Sequence, residues 1–248
     1  MTRKIAPLTA LALVALTPAC AQGDVDVANK EAVEKIVRDY ILENPEIIEE
    51  ALIALSQKQA DAEAAAARAA INDNRDAIFN SAADYSVGPE DAEITVVEFF
   101  DYRCGYCKRS LDWTMALPED YDGKVRVVFK EFPILTAESE KAALAALAAG
   151  EQGKYAEMHS ELMLLDNSTG FDADDIDAAA ERAGVDVDKM RADMGSVRLQ
   201  KVVADNKSLA RKLGVDGTPA FFVGNEYVAG ANEAGVNAAI RQAIKDAG

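Results

Sequence analysis

A strand-like run, 94–100 (ITVVEFF), reaches Cys104-Gly105-Tyr106-Cys107 after only three residues, and a helical pattern starts at Gly105. No other stretch restricts the fold as much. A near-continuous apolar run marks a strand covered on both faces. Its end must hand two thiols to the first turn of a helix. That helix, predicted from 105 to about 117, stops at Pro118. A second covered strand, 124–131 (KVRVVFKE), ends at Phe132-Pro133. Strand, helix and strand in this order make a parallel pair with a right-handed crossover. A helical section follows, roughly 137–213, punctuated by Gly150, Gly170, Gly184 and Gly195 and closed by Gly214. Short strands at 220–223 and 227–229, joined at Gly224-Asn225, form a hairpin, and 232–247 makes a last helix. The class is α/β, a mixed sheet surrounded by helices.

Cys104 falls at the helix N-terminus, where free N–H groups and the macrodipole favour an anion. That lowers the thiol pKa, and the thiolate is the nucleophile. Arg103, Lys108 and Arg109 add positive charge that acts in the same direction. Cys107, one turn on and less exposed, is placed to resolve a mixed disulfide. A metal pair is the competing use of these sulfurs. Structural zinc needs four ligands. The chain has no second C-x-x-C and a single histidine, His159, which reads as an ordinary helix residue. Copper(I) accepts soft thiolates, so a two-sulfur copper(I) site at Cys104 and Cys107 stays open. Gly217-Thr218-Pro219-Ala220 enters a buried strand, where proline removes a ladder bond. A turn with a cis bond at Pro219 fits there. It would let the Thr218 backbone face the cysteines and pair with an extended substrate chain.

Arg3 and Lys4, the apolar run 5–16 and Ala19-Cys20-Ala21 follow the order of an export signal, with cleavage after Ala21. An acylated Cys20 would need a leucine one position nearer than Leu16, so a soluble exported product is expected. No later apolar run is long enough to span a bilayer. Loss of Arg3 and Lys4 leaves 24 basic against 43 acidic residues, a net charge of −19. A surface this acidic repels phosphate backbones and excludes nucleic acid as a partner. Of the three cysteines, only Cys104 and Cys107 remain. A loop this short gains little stability from closure, so the pair is explained by reactivity.

Between the signal and the first covered strand lies a helical arm, 22–83. Val33, Ile36, Val37, Tyr40 and Ile41 recur at helical spacing. Asn44-Pro45 reads as a stop and restart, with Asn44 as N-cap. A helix from there to about residue 80 would be roughly 50 Å long. Ile48, Leu52, Leu55, Gln59, Ala62, Ala66 and Ala69 make a narrow 4-3 seam, which reads as an oligomerisation stalk. Residues 84–93, with Gly88-Pro89, read as the connection into the second domain, 84–248.

Strand–C-x-x-C–helix followed by Thr-Pro before a hairpin resembles the thioredoxin fold. The helical insertion resembles the DsbA group of exported thiol–disulfide oxidoreductases. EFFDYRCGYCK, FKEFPIL and GTPAFFV match that group at corresponding places. RDYILENPEIIEEAL resembles the N-terminal segment of the copper-sensitivity suppressor ScsC branch, some members of which trimerise through such arms. The resemblance implies Cys104 as nucleophile, Cys107 as resolving thiol and Pro219 as a cis-proline preceded by Thr218. It implies no cofactor. The dipeptide Gly105-Tyr106 and Thr218 resemble disulfide isomerases more than a strong oxidase. Tyr106 lacks the charge of a histidine, so the disulfide should be less oxidising.

The family also places an acidic residue where Glu98 stands. A desolvated carboxylate can take the proton that Cys107 loses when it attacks. The other reading of Glu98 is an ion pair with Lys130. The whole implies a periplasmic, isomerase-like protein-disulfide oxidoreductase. Its partners are cysteine-containing clients, a membrane thiol reductant or oxidant, and further copies of itself, as a trimer. The alternatives are a monomeric DsbA-type oxidase and a copper(I)-binding copper-tolerance protein.

Overall fold

The computed structural model describes residues 27–247; the signal-peptide reading lies outside them. The chain forms two compact units, one ending at Gln59 and one running from Ala60. In the first, α1 (Val27–Glu43) gives way to α2 (Glu46–Asp73) at Asn44-Pro45. The Asn44 amide donates to the Tyr40 carbonyl at 2.9 Å. It therefore closes α1, a different role from the N-cap of α2 that the sequence suggests. Val33, Ile36, Val37, Tyr40, Leu42, Ile48, Leu52, Ile53 and Leu55 are exposed along these helices.

The second unit begins inside α2. That helix ends at Asp73, short of the expected 80, because Asn74 leaves the helical conformation and its amide bonds back to Ala70. A single short turn, α3 (Arg75–Phe79), follows. Next come β1 (Tyr85–Val87), β2 (Ile94–Phe100), α4 (Gly105–Asp120) and β3 (Val125–Glu131). The helical insertion is α5 (Ala137–Gly150), α6 (Tyr155–Leu164), α7 (Ala173–Arg182), α8 (Val187–Met194) and α9 (Val197–Lys212). β4 (Ala220–Val223), β5 (Glu226–Ala229) and α10 (Glu233–Ala247) complete the chain. The sheet order is β1-β3-β2-β4-β5, with β2 parallel to β3 and the other pairs antiparallel. β1 lies in the stretch read as a connection. Three residues against Gly88-Pro89 show no period of two.

Pro118 does not stop α4, which runs on to Asp120. The proline forfeits the single bond its N–H would make to Thr114. Tyr121 still donates to Leu117 at 3.1 Å, so the last turn closes.

The sheet is covered on both faces. On one, Val96, Phe100, Val127 and Phe129 meet the alanines of α5, whose small side chains let that helix approach closely. On the other, Val97, Phe99, Val128 and Phe222 meet Ile71, Ile78, Phe79 and Leu209. Lys130 belongs to this second face. The parallel register sets Glu98 against Phe129 and Phe99 against Lys130, so Glu98 and Lys130 point to opposite sides. Lys130 instead pairs with the buried Asp84 and donates to the Ala77 carbonyl at 2.5 Å. The Glu98–Lys130 ion pair is thus corrected by strand alternation.

A truncation separates the arm from the core. Deletion through Gln59 should leave the melting temperature of the second unit within a few degrees of the full chain. Deletion through Ala83 removes Ile71, Ile78 and Phe79 and the Ala77 partner of Lys130. Losing each large buried side chain costs about 2–5 kcal/mol, so this shorter chain should not fold. Calorimetry of the two chains checks the contrast.

Candidate active site

β2 ends at Phe100, and a tight turn lifts the chain onto α4. Asp101 builds that turn. Its carboxylate accepts from the N–H groups of Arg103 (2.8 Å), Ile134 (2.8 Å) and Leu135 (3.0 Å), and its carbonyl accepts from Cys104 N–H (3.0 Å). Cys104 is the N-cap of α4. It is 8% exposed and Cys107 1%, and both are free thiols. The helix thus starts on the sulfur-bearing residue, where its unpaired N–H groups favour an anion.

The loop before β4 closes the other side. The Thr218–Pro219 peptide is cis. As a thiol, Cys104 donates to the Thr218 carbonyl at 3.2 Å. Glu98 lies beneath, fully buried, and accepts from Ser110 Oγ at 3.1 Å. The same hydroxyl bonds the Cys107 carbonyl at 2.9 Å, so Ser110 ties the carboxylate to the helix turn that carries Cys107.

The electrostatics divide the two sulfurs. Cys104 is held down to about 5, first by the hydrogen bond from the Cys107 thiol. The Thr218 side chain and the Cys107 and Tyr106 backbone add to this against the cost of burial. Cys107 is pushed far up by burial, then by its bond to Cys104 and by the charge of Glu98. Burial pushes Glu98 up to about 8; Ser110 opposes the rise and the Cys104 charge adds to it. The site therefore holds one sulfur kept ionised, one thiol kept protonated, and one carboxyl able to exchange a proton near neutral pH.

The structure brings Cys104, Cys107, Glu98, Thr218 and Pro219 together. Gly105 and Tyr106 form the first turn of α4, with Tyr106 60% exposed. Lys130 is elsewhere. The nearby cations are engaged with other groups: Arg103 with Thr136, Glu138 and the Asn167 carbonyl, Lys108 with the Leu165 carbonyl, and Arg109 over the Tyr106 ring at 4.0 Å. His159 is a core residue, packed against Phe100, Phe129 and Tyr155 and 3.2 Å from the Tyr102 hydroxyl. Burial holds it down to about 3. Among the described residues, no three His, Cys, Asp or Glu side chains gather as a metal site. Sequence motifs alone do not single out Asp101 and Ser110. An aspartate directly after a strand and a serine three residues beyond Cys107 are the signals that point to them.

Comparison with known proteins agrees with this geometry. A thioredoxin family model matches residues 80–246, and a model of the copper resistance protein ScsC N-terminal domain matches 29–62. A thioredoxin-like oxidoreductase from Silicibacter pomeroyi is 37% identical, with a TM-score of 0.65 over 69% of this chain and 98% of that one. ScsC of Proteus mirabilis, in a transitional conformation, is 30% identical, with a TM-score of 0.64 over 89% and 99%. The Na(+)/H(+) antiporter NhaA 3 of Salinispora tropica is 34% identical over 167 residues, 66% of this chain but 25% of that protein. The chain thus spans about a quarter of that relative. Among the described residues, no helix is long and apolar enough to cross a membrane. The chain belongs to the thioredoxin family, as a DsbA-like, ScsC-type member.

Proposed function

We propose that this protein is an exported, periplasmic, isomerase-like exchanger of disulfides in client proteins, working as an oligomer through its arm. The observation that carries the reading is the division between the two sulfurs, one ionised at the mouth and one protonated beneath it beside Glu98. The Cys104 thiolate attacks a client disulfide, forming the Cys104–client bond and releasing the other client sulfur as a thiolate. A client thiol then displaces Cys104, which completes a shuffle. Alternatively Cys107 attacks Cys104, gives its proton to Glu98, and releases the reduced client as the Cys104–Cys107 disulfide forms. Pro219 and Thr218 form the wall of the site opposite α4, where the Thr218 backbone can pair with a client strand.

Shuffling needs Cys104 reduced, so a membrane reductant belongs upstream. Gly105-Tyr106 and Thr218 support isomerase character. The arm's exposed apolar side chains, Ile36, Leu42, Leu52 and Ile53 among them, support self-association, with a trimer as the assembly. Several Cys104 centres held on one assembly raise the effective concentration of thiolate around a misfolded client. Export fits the leader 1–21, with cleavage after Ala21.

The test compares the mature chain with one lacking 22–59. The mature chain should sediment as an oligomer and reactivate a scrambled protein. The deletion should be a monomer that still reacts with small disulfides but shuffles at least about tenfold more slowly. A monomeric mature chain removes the role of the arm. A mature chain that oxidises dithiols without shuffling makes the protein an oxidase.

A further inference from the structure

The charged residues beside the cysteines have work that thiolate chemistry leaves unexplained. Arg103 and Lys108 both reach the segment between α6 and α7. Arg103 donates to the Asn167 carbonyl at 2.7 Å, and the Asn167 amide donates back to the Arg103 carbonyl at 2.7 Å. That carbonyl belongs to the peptide leading into Cys104. Lys108, one turn beyond the sulfur, bonds the Leu165 carbonyl. Both cations lie over the buried Phe171 ring, at 5.6 and 5.0 Å from its centre. Phe171 has φ 83, a left-handed conformation that a bulky side chain adopts only when its surroundings enforce it.

Between these anchors the segment turns tightly. Gly170 N–H bonds the Asp166 carbonyl at 2.8 Å, where a Cβ on residue 170 would collide, and Ser168 N–H bonds the Asp166 carboxylate at 2.7 Å. Asp166, Ser168 and Thr169 face solvent, and Leu164 just before them is 71% exposed. The segment and α4 enclose a groove of about 640 Å³ lined by Lys108, Leu111, Leu164 and Asp166. Its lining sets the apolar Leu111, Met163 and Leu164 beside two carboxylates, Asp112 and Asp166, against the single cation Lys108. Such a surface suits an extended polypeptide with neutral or basic side chains.

We propose that segment 165–171 is the wall along which a client polypeptide lies while its sulfur meets Cys104, and that Arg103 and Lys108 are the positioning residues that hold this wall in register with the nucleophile. The inference rests on the exchange reading above and assigns its client specificity. The anchoring needs the planar fork of arginine, which bonds Asn167, Thr136 and Glu138 at once; a lysine keeps the charge but not the fork.

The experiment measures Cys104 reactions with two probes, 2-hydroxyethyl disulfide and a ten-residue lysine-flanked cysteine peptide carried as a mixed disulfide. Arg103→Lys and Arg103→Ala should each lower the peptide-to-small-probe rate ratio about tenfold, the loss of one good contact. Asn167→Ala, which breaks the same pair from the loop side, should lower it similarly. The Arg103→Lys/Asn167→Ala double variant should add nothing further. A glutamate-flanked peptide should start from a lower ratio in the unaltered protein. A wild-type ratio in Arg103→Lys would show that charge alone matters and overturn the proposal. A parallel loss with both probes would assign Arg103 to the sulfur's own setting and overturn it too. An unaltered protein inert to both probes would instead remove the exchange reading itself.

Discussion

Glu98→Gln should slow the attack of Cys107 on a Cys104 mixed disulfide about a hundredfold near pH 7, the scale of a lost general base. Cys107 is 1% exposed, and burial, the bond to Cys104 and the charge of Glu98 all oppose its ionisation. It can attack only as its proton leaves, and Glu98 is the carboxylate placed to receive it. Glu98 sits at about 8 partly because the Cys104 thiolate is nearby. Formation of the mixed disulfide removes that charge, so the carboxyl ionises more readily at the moment a base is required. The wild-type resolution rate should therefore rise with pH through an inflection near or below 8. Glutamine keeps the shape and the bond from Ser110 but takes no proton, so the inflection should vanish. Stopped-flow resolution of a peptide mixed disulfide between pH 5 and 9 reads this directly, and an unchanged pH curve would take Glu98 out of the chemistry.

The same substitution has a stability consequence of opposite sign. A carboxyl raised from 4.5 to about 8 holds its proton longer in the folded chain than in the unfolded one. Stability from this group is full below about 4.5, declines as pH rises, and is lost once pH passes about 8. The penalty above that point is on the order of 5 kcal/mol. Cys104, held below its ordinary value, contributes the reverse trend, present above 9 and lost as pH falls through about 5. Both proteins carry Cys104, so that trend cancels in the comparison. Reduced Glu98→Gln should resist urea better than the wild type at pH 9 and show little advantage at pH 5.

Much of this site is legible in the sequence because it is local. Cys104 follows β2 by four residues and opens α4, so spacing alone places its sulfur on a helix N-terminus. Thr218-Pro219 stands at the entry to β4, where a proline needs a special turn. What sequence reading misplaced depends on register and tertiary contact. Lys130 and Glu98 are both charged residues in apolar strands, and only the parallel pairing shows that they face opposite sides of the sheet. Asp84 lies in a stretch with no periodic signal, yet it supplies the buried partner of Lys130. Arg103 and Lys108 sit beside the sulfurs in sequence, which invites an electrostatic reading. Their partners in the segment between α6 and α7, Leu165 and Asn167, are about sixty residues away, where a single chain gives no hint of proximity. Pro118 reads as a stop because proline usually ends a helix, but in the last turn it forfeits only one bond.

Cys107→Ala should raise the pKa of Cys104 well above about 5, and the size of the rise identifies what holds the nucleophile charged. Two of the influences that stabilise that sulfur are separated by this variant. One is the helix start, which the variant keeps. The other is the hydrogen bond from the Cys107 thiol, the largest single contribution, which alanine removes. If that bond dominates, a rise to about 7 cuts the thiolate fraction at pH 6 about tenfold, and alkylation of Cys104 slows in proportion. Thr218→Val, which removes a smaller contribution, should move the titration less and in the same direction. Cys104→Ser should abolish exchange altogether. If Cys104 in the alanine variant still ionises near 5, the helix terminus suffices and Cys107 serves only to resolve. Any other outcome means that each sulfur tunes its neighbour. Oxidation to the Cys104–Cys107 disulfide then gives up a stabilised thiolate, and that stabilisation makes the disulfide easier to reduce. A Cys107→Ala protein used to trap clients as Cys104 mixed disulfides should accordingly capture them faster at pH 8 than at pH 6, whereas the wild-type attack rate stays nearly level across that range.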